Sequence, residues 1–431
     1  MLNGRPVMTN SHHRITYKRP EGLNYYISFI VWPFGVLLAA LRHWERPWSK
    51  NVFWLFCIFF GYTFIIAKDS YDSADSVRYA QMLVEYAHSD ISAGGLWRSF
   101  YSEGSNYIDI AQPVITYLVS RVTDNPTILF TIFGLIFGYF YSRNIWFVLD
   151  QIKGNFTIIV FLYFLTFALF NPIWNINGFR MWTAAQIFLF GALPYLLKGN
   201  SKRLFWCGVS VFFHFSFLYP LATLFIYIFL KNRLNIYLVF FIVTCLIKEI
   251  NLQQVQSVLS FLPGIFQQRV GGYTNLEYAE TINIANQSAN WYLTFSSVGI
   301  KWVTYSLTLF IYFFCKEFLK NRKELMTLFC YSLLLYGFAN VISLLPSGSR
   351  FLLVANTFMF AFFIIFISTS PEIRGLLLIK VLSIPLLLLF CVFTIRVGMD
   401  YFGLVTIFGN PLLAALDTDI VPLITGIKRL F

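Results

Sequence analysis

Charged residues are scarce in this chain, and their scarcity excludes an ordinary soluble protein. Asp, Glu, Lys and Arg make up 12% of the 431 residues, whereas a soluble globular domain carries about 25%. Hydrophobic residues make up 58% of the sequence, and the mean hydropathy is +0.65. Every part of the chain long enough to fold alone contains long apolar segments. We therefore predict one polytopic membrane domain that covers residues 1–431.

Cysteine is absent from the polar loops, and common catalytic motifs are missing. The six cysteines all lie in apolar segments (Cys57, Cys207, Cys245, Cys315, Cys330 and Cys391). This pattern argues against a disulfide framework or a zinc site and favours thiols that pack as small hydrophobes. The sequence also lacks HExxH, GxSxG, a glycine-rich phosphate loop and any internal repeat. It predicts no metal ion and no cofactor.

Apolar segments long enough to cross a bilayer are abundant. A membrane-spanning helix needs about 20 apolar residues. The candidate spans are 22–41, 51–67, 126–147, 156–170, 180–197, 235–250, 291–315, 325–345, 350–370 and 378–398. Residues 107–121 and 402–416 are typical of short interfacial or re-entrant helices. The predicted fold class is all-α, an integral membrane helical bundle with about 10–13 transmembrane or re-entrant helices.

Residues 204–230 fit two interpretations. They are too short for two full spans and long for one, and His214 and Pro220 interrupt the apolar run. A broken hairpin of two short helices would return both ends to one side of the membrane. A single tilted span would invert the orientation of everything that follows.

The net charge of +12 is a topology signal. With the hairpin, the loops 42–50, 143–155, 198–203, 231–234, 316–324 and 371–380 share one side. They hold 16 of the 32 basic residues and five acids, so the positive-inside rule assigns them to the cytoplasm. The basic tail 1–21 then lies outside, against the rule. The other outer segments are a long loop at 68–125 with interfacial helices, a second large loop at 250–290, and the shorter segments 171–179, 346–349 and 399–431. No nucleic-acid partner is predicted.

The first group of candidate site residues lies in DSYDSADSVRYAQ, residues 69–81. Asp72 and Asp75 are candidate catalytic carboxylates, because a carboxylate can accept a proton from a sugar hydroxyl. On an interfacial helix over 74–87, Asp75, Arg78 and Tyr79 share one face. Arg78 and Tyr79 are candidate substrate-binding residues, and Tyr79 could stack on a sugar ring. The alternative is that Asp72 or Ser73 only caps the helix.

The second group is Arg180 with the polar turn before it, NPIWNING, residues 171–178. An arginine that enters a span is costly unless it is paired or faces an aqueous cavity. The guanidinium group also suits a phosphate, so Asn177 and Arg180 are candidate substrate-binding residues. An arginine that only snorkels to the interface is the alternative.

Two further candidates lie later in the chain. His214, with Ser216 beside it, is the only histidine within an apolar run, which indicates a proton relay or a hydrogen bond to substrate. A purely structural histidine is the alternative. Arg350 repeats the pattern of Arg180, because it follows an outer polar turn and opens a span. Together the two arginines could hold a pyrophosphate.

These motifs, in this order, resemble the EpsG/Wzy-type family of bacterial polysaccharide polymerases. The resemblance covers residues 50–420 and rests on Asp75-x-x-x-Tyr79, Gly178-Phe-Arg180, His214-x-Ser216, Arg350 and FGNPLLAALD at 408–417. Members of the family make O-antigen, capsule or exopolysaccharide.

The resemblance implies a substrate, a reaction and a location. Undecaprenyl-pyrophosphate-linked oligosaccharide units would be polymerised at the periplasmic face of the bacterial inner membrane. Arg180 and Arg350 would hold the pyrophosphate, the acceptor sugar would meet Asp75 and Tyr79, and Asp75 or His214 would be the base. A chain-length regulator and a flippase would be partners, and no metal would be needed.

Two other functions fit parts of the pattern. A membrane glycosyltransferase that uses a polyprenyl-monophosphate sugar also places acids in an early outer loop, but a soluble C-terminal domain that would favour it is absent from this sequence. A transporter or flippase would place charges in mid-span on several helices and often has repeated halves.

Overall fold

The computed structural model describes residues 22–66, 75–101, 109–154, 156–260, 291–370, 373–416 and 421–428. These residues form helices and no strand, apart from an isolated bridge between Gly403 and Pro422. The all-α prediction is therefore confirmed. The basic tail, Asp72 and most of the predicted loop at 250–290 lie outside the described residues.

The helices are as follows in chain order. The first ten are α1 (Leu23–Val31), α2 (Pro33–Arg42), α3 (Ser49–Tyr62), α4 (Asp75–His88), α5 (Ala93–Tyr101), α6 (Ala111–Ser120), α7 (Pro126–Leu149), α8 (Ile158–Leu169), α9 (Phe179–Lys198) and α10 (Leu204–Phe213). The next six are α11 (Leu218–Leu230), α12 (Leu234–Leu246), α13 (Leu252–Leu259), α14 (Trp291–Phe314), α15 (Lys316–Lys320) and α16 (Lys323–Ile342). The last five are α17 (Arg350–Thr369), α18 (Arg374–Gly398), α19 (Leu404–Phe408), α20 (Pro411–Leu416) and α21 (Leu423–Lys428). Three 3-10 turns cover Ile173–Gly178, Ser201–Arg203 and Phe215–Phe217.

Among the residues that the structure describes, six segments are long and apolar enough to cross a membrane, which confirms a polytopic membrane protein. They are Pro126–Leu149, Ile158–Lys198, Thr294–Phe314, Lys323–Ile342, Arg350–Thr369 and Gly375–Gly398. The second of them comprises α8, a 3-10 turn and α9. Shorter apolar helices, among them α2 and α12, complete the bundle.

The first predicted span, 22–41, is not one helix. It is divided into α1 and α2 at Trp32, whose backbone is extended (φ −150°, ψ 83°). Pro33 explains the break, because its ring disfavours a helical conformation for the residue before it. Pro33 is the first residue of α2, where its missing N–H would have no partner in any case.

The loops predicted to share one side of the membrane do lie at one end of the bundle. We call the end that holds Phe179 the upper end and the end that holds Lys198 the lower end. The Lys198 ammonium group lies 4.9 Å from the Phe147 ring centroid, so α7 finishes at the lower end. Lys198, Lys231 and Lys323 line a single cavity there. Gly154 lies against the carbonyl of Ser368, so the loops that follow α7 and α17 are also at this end.

Residues 204–230 form the broken hairpin. The ring of Phe213, at the end of α10, lies 6.0 Å from the ring of Phe179 at the upper end. α11 then returns to the lower end, where Lys231 lines the same cavity as Lys198. His214 separates the two halves in an extended conformation (φ −151°, ψ 116°). The hairpin interpretation is therefore confirmed, and the single tilted span is wrong.

Helices α3 and α7 pack closely because glycine faces the neighbouring backbone in both. A Cβ on Gly61 would lie 2.3 Å from the carbonyl oxygen of Phe130, and a Cβ on Gly134 would lie 2.4 Å from that of Cys57. Small residues that let two backbones approach are typical of helix contacts in membranes. α7 is in turn packed against α9, which carries Arg180.

α4 lies at the upper end with one face buried. Ser76, Tyr79 and Leu83 are buried, with the spacing of one helix face. The neighbouring helix α6 packs against it, and the two are joined by Gln112, whose amide donates to the sulfur of Met82 at 3.6 Å. Helices are therefore present at Asp75–His88 and Ala111–Ser120, within or close to the segments predicted as interfacial helices. α4 begins at Asp75, and Asp109 lies two residues before α6.

Candidate functional site

Arg180 is the centre of a polar cluster at the upper end. Its Nε donates to the hydroxyl of Tyr79 at 3.2 Å, and Nη1 donates to Oδ2 of Asp109 at 3.3 Å. Nη2 lies 3.6 Å from Oδ1 of Asp75. The three nitrogens of the guanidinium group thus reach three different side chains. Arg180 does not snorkel away from the bundle, because its side chain is only 28% exposed.

Asp75 is the more accessible of the two carboxylates. Its side chain is 20% exposed, whereas that of Asp109 is 5% exposed. Oδ1 of Asp75 also pairs with Arg78, which is on the same face of α4. Oδ2 faces the 3-10 turn before α9, 3.6 Å from where a Cβ on Gly178 would lie. Within the described residues, both ion pairs of Asp75 use Oδ1, which leaves Oδ2 for a ligand.

Asp109 joins two parts of the site, and sequence reasoning missed it. One of its oxygens accepts from Arg180, and the other accepts from the backbone N–H of Phe215 at 2.8 Å. The next residue, Ile110, donates its N–H to the carbonyl of Phe212 at 3.1 Å. The break in the α10–α11 hairpin is therefore bound to the start of α6. The sequence feature that could have identified Asp109 is a single acid at the start of a short apolar segment.

The hydroxyl of Tyr79 contacts Arg180, whereas its ring is packed inside the protein. The side chain is buried, and its ring lies edge-on to that of Phe133 with centroids 5.7 Å apart. The ring is not available to stack on a sugar, so that part of the sequence interpretation is wrong. Burial raises the pKa of Tyr79 to about 12, against a smaller opposing effect of the Arg180 charge. Tyr79 therefore stays protonated at physiological pH and does not act as a base.

His214 and Ser216 lie at the break of the hairpin. The Ser216 hydroxyl and His214 Nδ1 form a hydrogen bond of 2.5 Å. Both side chains are half-buried. Because Phe215 lies between them and is bound to Asp109, their position is fixed relative to Arg180. This hydrogen bond gives one ring nitrogen of His214 a partner. Both a structural histidine and a proton relay would have such a bond, so both interpretations stay open.

Asn177 connects the turn before α9 to a distant part of the chain. Its amide donates to the hydroxyl of Tyr401 at 3.1 Å. The amide oxygen is buried and has no hydrogen-bond partner among the described residues. A buried polar atom without a partner is costly, so this oxygen is available to a ligand or a water. Tyr401 was not selected from the sequence.

Arg350 lies outside the Arg180 cluster but at the same end. α9 and α17 run in the same direction, because both finish at the lower end, α9 at Lys198 and α17 beside Gly154. The rings of Phe188 and Phe358, each eight residues after its arginine, lie 6.0 Å apart. Phe351 packs against Tyr219, just after the hairpin break, at 5.0 Å. Arg350 is exposed and forms no ion pair with any described residue. Asp72 falls in the part of the chain that the structure does not describe.

The chain matches the EpsG family over residues 52–406. The match includes all the described cluster residues, from Asp75 to Tyr401. The chain belongs to the EpsG family. No curated protein and no solved structure matches it.

Membership in the EpsG family identifies a multi-pass membrane protein of the polysaccharide polymerase type. Such proteins have, broadly, a glycosyltransferase-like activity. The resemblance found from the sequence motifs is thereby confirmed over residues 52–406.

The charges of this EpsG-family site are balanced. Arg78 and Arg180 carry two positive charges, and Asp75 and Asp109 carry two negative charges. Among the residues that the structure describes, no three His, Cys, Asp or Glu side chains lie close enough to bind a metal ion. The arrangement provides an accessible carboxylate, a preorganised arginine and, at the same end of the bundle, Arg350, which forms no ion pair with a described residue.

Proposed function

We propose that this protein joins oligosaccharide repeat units carried on undecaprenyl pyrophosphate, at the periplasmic face of the bacterial inner membrane. One observation carries the proposal. In a member of the EpsG family, Arg180 contacts Asp75 and Tyr79 of α4 and Asp109 of a second segment, at one end of a membrane bundle. The six loops rich in basic residues lie at the opposite end, and the positive-inside rule makes that end cytoplasmic.

Asp75 is the group best placed to activate the acceptor hydroxyl. It is the more exposed carboxylate, and its Oδ2 is not used in an ion pair with any described residue. Asp109 has both oxygens engaged, so it is a positioning residue. Tyr79 remains protonated. His214 is the other candidate base, and its hydrogen bond to Ser216 fixes the orientation of its ring.

The two arginines have different roles in this proposal. Arg180 already faces two carboxylates, so its charge is largely compensated before substrate binds. Arg350 is exposed and unpaired among the described residues, which makes it the better group to receive a pyrophosphate. Arg180 then holds Asp75 in place, and Arg350 supplies the uncompensated positive charge. Fixed donors aimed at developing charge supply a large share of catalysis in such reactions.

An apolar cavity offers a place for the lipid tail. Its volume is about 440 Å³, and its walls are phenylalanine, tryptophan, leucine and isoleucine side chains of α2, α3, α7 and α8. Trp174 and Phe402 form its upper wall. Trp174 belongs to the same 3-10 turn as Asn177, immediately before Arg180. A polyprenyl chain in this cavity would place its pyrophosphate near the cluster.

The reaction balances without a redox step. The acceptor sugar hydroxyl attacks the anomeric carbon of the donor glycan and forms the new C–O bond. The bond from that carbon to the pyrophosphate oxygen breaks, and the lipid pyrophosphate leaves with the electron pair. The hydroxyl proton passes to Asp75 and then to water. The expected inversion at the anomeric carbon comes from the family resemblance.

The proposal is tested by the polysaccharide profile of a deletion strain complemented with variants. We expect Asp75→Asn, Arg180→Ala and Arg350→Ala to abolish or strongly shorten the long-chain ladder while single repeat units accumulate. Asp90→Asn is the matched control, because Asp90 is an exposed carboxylate that lies just after α4. A normal ladder in all three variants at normal protein level would refute the site.

A second measurement separates this reaction from that of other glycosyltransferases. Purified protein in vesicles is supplied with a lipid-pyrophosphate-linked repeat unit or with a polyprenyl-monophosphate sugar. Elongation only with the first donor supports the polymerase. Transfer only from the second would replace it with the other glycosyltransferase. If neither reacts and single repeat units are lost in the strain, the protein acts earlier, as a flippase would.

A further inference from the structure

A second cavity lies at the lower end of the bundle, opposite the Arg180 cluster. Its volume is about 440 Å³, far above the roughly 10–15 Å³ that a single water needs. It is bounded by the end of α9, the end of α11 with the residues that follow, and the start of α16. The lining residues include Tyr195, Lys198, Tyr227, Lys231, Lys323 and Thr327.

The rim of this cavity is positively charged. Three lysines face one acid, Glu324, so the net charge is +2. None of the three ammonium groups pairs with a carboxylate among the described residues, although such pairs form elsewhere at this end, as between Lys320 and Glu317. Lys198 instead lies over the Phe147 ring at 4.9 Å. These cations are therefore available to an anion.

The cavity also contains an ordered set of neutral polar groups. The Tyr227 hydroxyl donates to Oδ1 of Asn232 at 2.7 Å, and the Asn232 amide lies 3.4 Å from the Thr327 hydroxyl. Tyr237 donates to the carbonyl of Lys231 at 2.7 Å. Its hydrogen bond holds a residue whose backbone is unusual, since Lys231 has φ 53° and ψ −145°. Only glycine adopts this region without strain.

The position of the cavity at the membrane boundary indicates what binds there. α9 and α16 both belong to segments long enough to cross the membrane, and the cavity lies where they end. Leu196, Leu197 and Tyr227 form a buried inner wall, while the lysines are exposed. A ligand with an anionic headgroup and an apolar body would match the lysine rim and the apolar inner wall. Basic pockets between membrane helices on the cytoplasmic side are typical sites for acidic lipid headgroups.

We infer that this cavity binds the phosphate-bearing headgroup of an anionic phospholipid. The lysines contact the phosphate, and the acyl chains lie against the ends of α9 and α11. The site is separate from the Arg180 cluster and does not require the proposed polymerase reaction. Its occupation would connect the α10–α11 hairpin to α16 at the lower end.

The test uses the full-length protein in nanodiscs of phosphatidylcholine with increasing phosphatidylglycerol. We measure bound phosphatidylglycerol by native mass spectrometry and the thermal unfolding temperature. Each lysine near an anionic surface contributes about a fivefold change in affinity. We therefore expect Lys323→Gln to weaken binding about fivefold and the double variant with Lys231→Gly about 25-fold. Lys153→Gln, at an exposed lower-end lysine outside the cavity, is the matched control.

Lys231→Gly separates loss of the charge from loss of the fold. Glycine relieves the backbone strain, so this variant should unfold at the same or a higher temperature in phosphatidylcholine alone. It should nevertheless gain less stability than wild type when phosphatidylglycerol is added. Equal phosphatidylglycerol binding by wild type and the double variant would overturn the inference. Stabilisation by inorganic phosphate that matches that by phosphatidylglycerol would assign the site to a soluble anion and overturn the lipid assignment.

Discussion

Asp109→Asn is the sharpest test of the site, because Asp109 holds Arg180 without being exposed to substrate. The amide can still accept from the backbone N–H of Phe215, but it no longer carries the charge that faces Arg180. The shape of the side chain is nearly unchanged. The variant therefore removes one ion pair and leaves the hairpin contact in place.

The expected loss of activity follows from the burial of the ion pair between Asp109 and Arg180. Breaking a buried ion pair by removal of one partner costs about 3–5 kcal/mol. Arg180 is 28% exposed and keeps Asp75, so we expect about 2–3 kcal/mol, below that range. If the loss falls on the reaction barrier, activity decreases about 30- to 150-fold, since 1.36 kcal/mol corresponds to tenfold.

The assay is repeat-unit elongation by purified protein, with initial rates over a range of donor concentrations. Asp90→Asn is the control for loss of an exposed carboxylate. Arg180→Gln and the double variant with Asp109→Asn complete a thermodynamic cycle. A positioning role predicts that the second substitution adds little to the first. Activity of Asp109→Asn within twofold of wild type, at normal protein level, would refute the reasoning.

Three further predictions concern packing and hydrogen bonds. Gly134→Ala should lower the thermal unfolding temperature in detergent, at a cost of about 1–3 kcal/mol for overpacking, whereas Gly208→Ala, where a Cβ meets no atom within 4 Å, should not. Tyr79→Phe should reduce activity by the loss of a hydrogen bond to a charged group, about 1.5–3 kcal/mol. It should add or remove no transition in the activity profile below pH 10, because the raised pKa keeps the phenol protonated there; a shifted acidic limb would contradict this. Ser216→Ala should alter the pH profile if His214 relays a proton, and an unchanged profile with normal activity would make the histidine structural.

The long spans could be predicted from the sequence, because an apolar run of about 20 residues is typical of a membrane-spanning helix. Pro126–Leu149 and Arg350–Thr369 match the predicted 126–147 and 350–370 closely. The hairpin at 204–230 could also be predicted from the sequence. Its length, its interior polar residues and the basic residues at both ends together favour two short helices over a single span. The break in the first span was missed, although Pro33 marks it. The prediction of one span rested on overall hydrophobicity and neglected the local effect of Pro33 on the residue before it.

The sequence predicted most residues of the site but not the contacts between them. Asp75, Tyr79 and Arg180 were selected, and the structure brings them together. Their pairing could not be read from spacing, because the segments are separated by about a hundred residues. Asp109 was passed over because a single acid has no periodicity to reveal it. The neutral charge balance of the cluster likewise depends on contacts that only the fold creates.

The cluster also has a consequence for biogenesis. Asp109 precedes Arg180 by 71 residues, so at roughly 5–20 residues per second the ribosome delivers the arginine about 4–14 s after the acid. During that interval Asp75 on α4 and Asp109, two residues before α6, have no cationic partner from α9, and water must solvate them. The contacts that join Tyr79, Asp75 and Asp109 to Arg180 can form only after α9 has been synthesised. The polar core of the upper end is therefore completed later than the packing of α4 against α6.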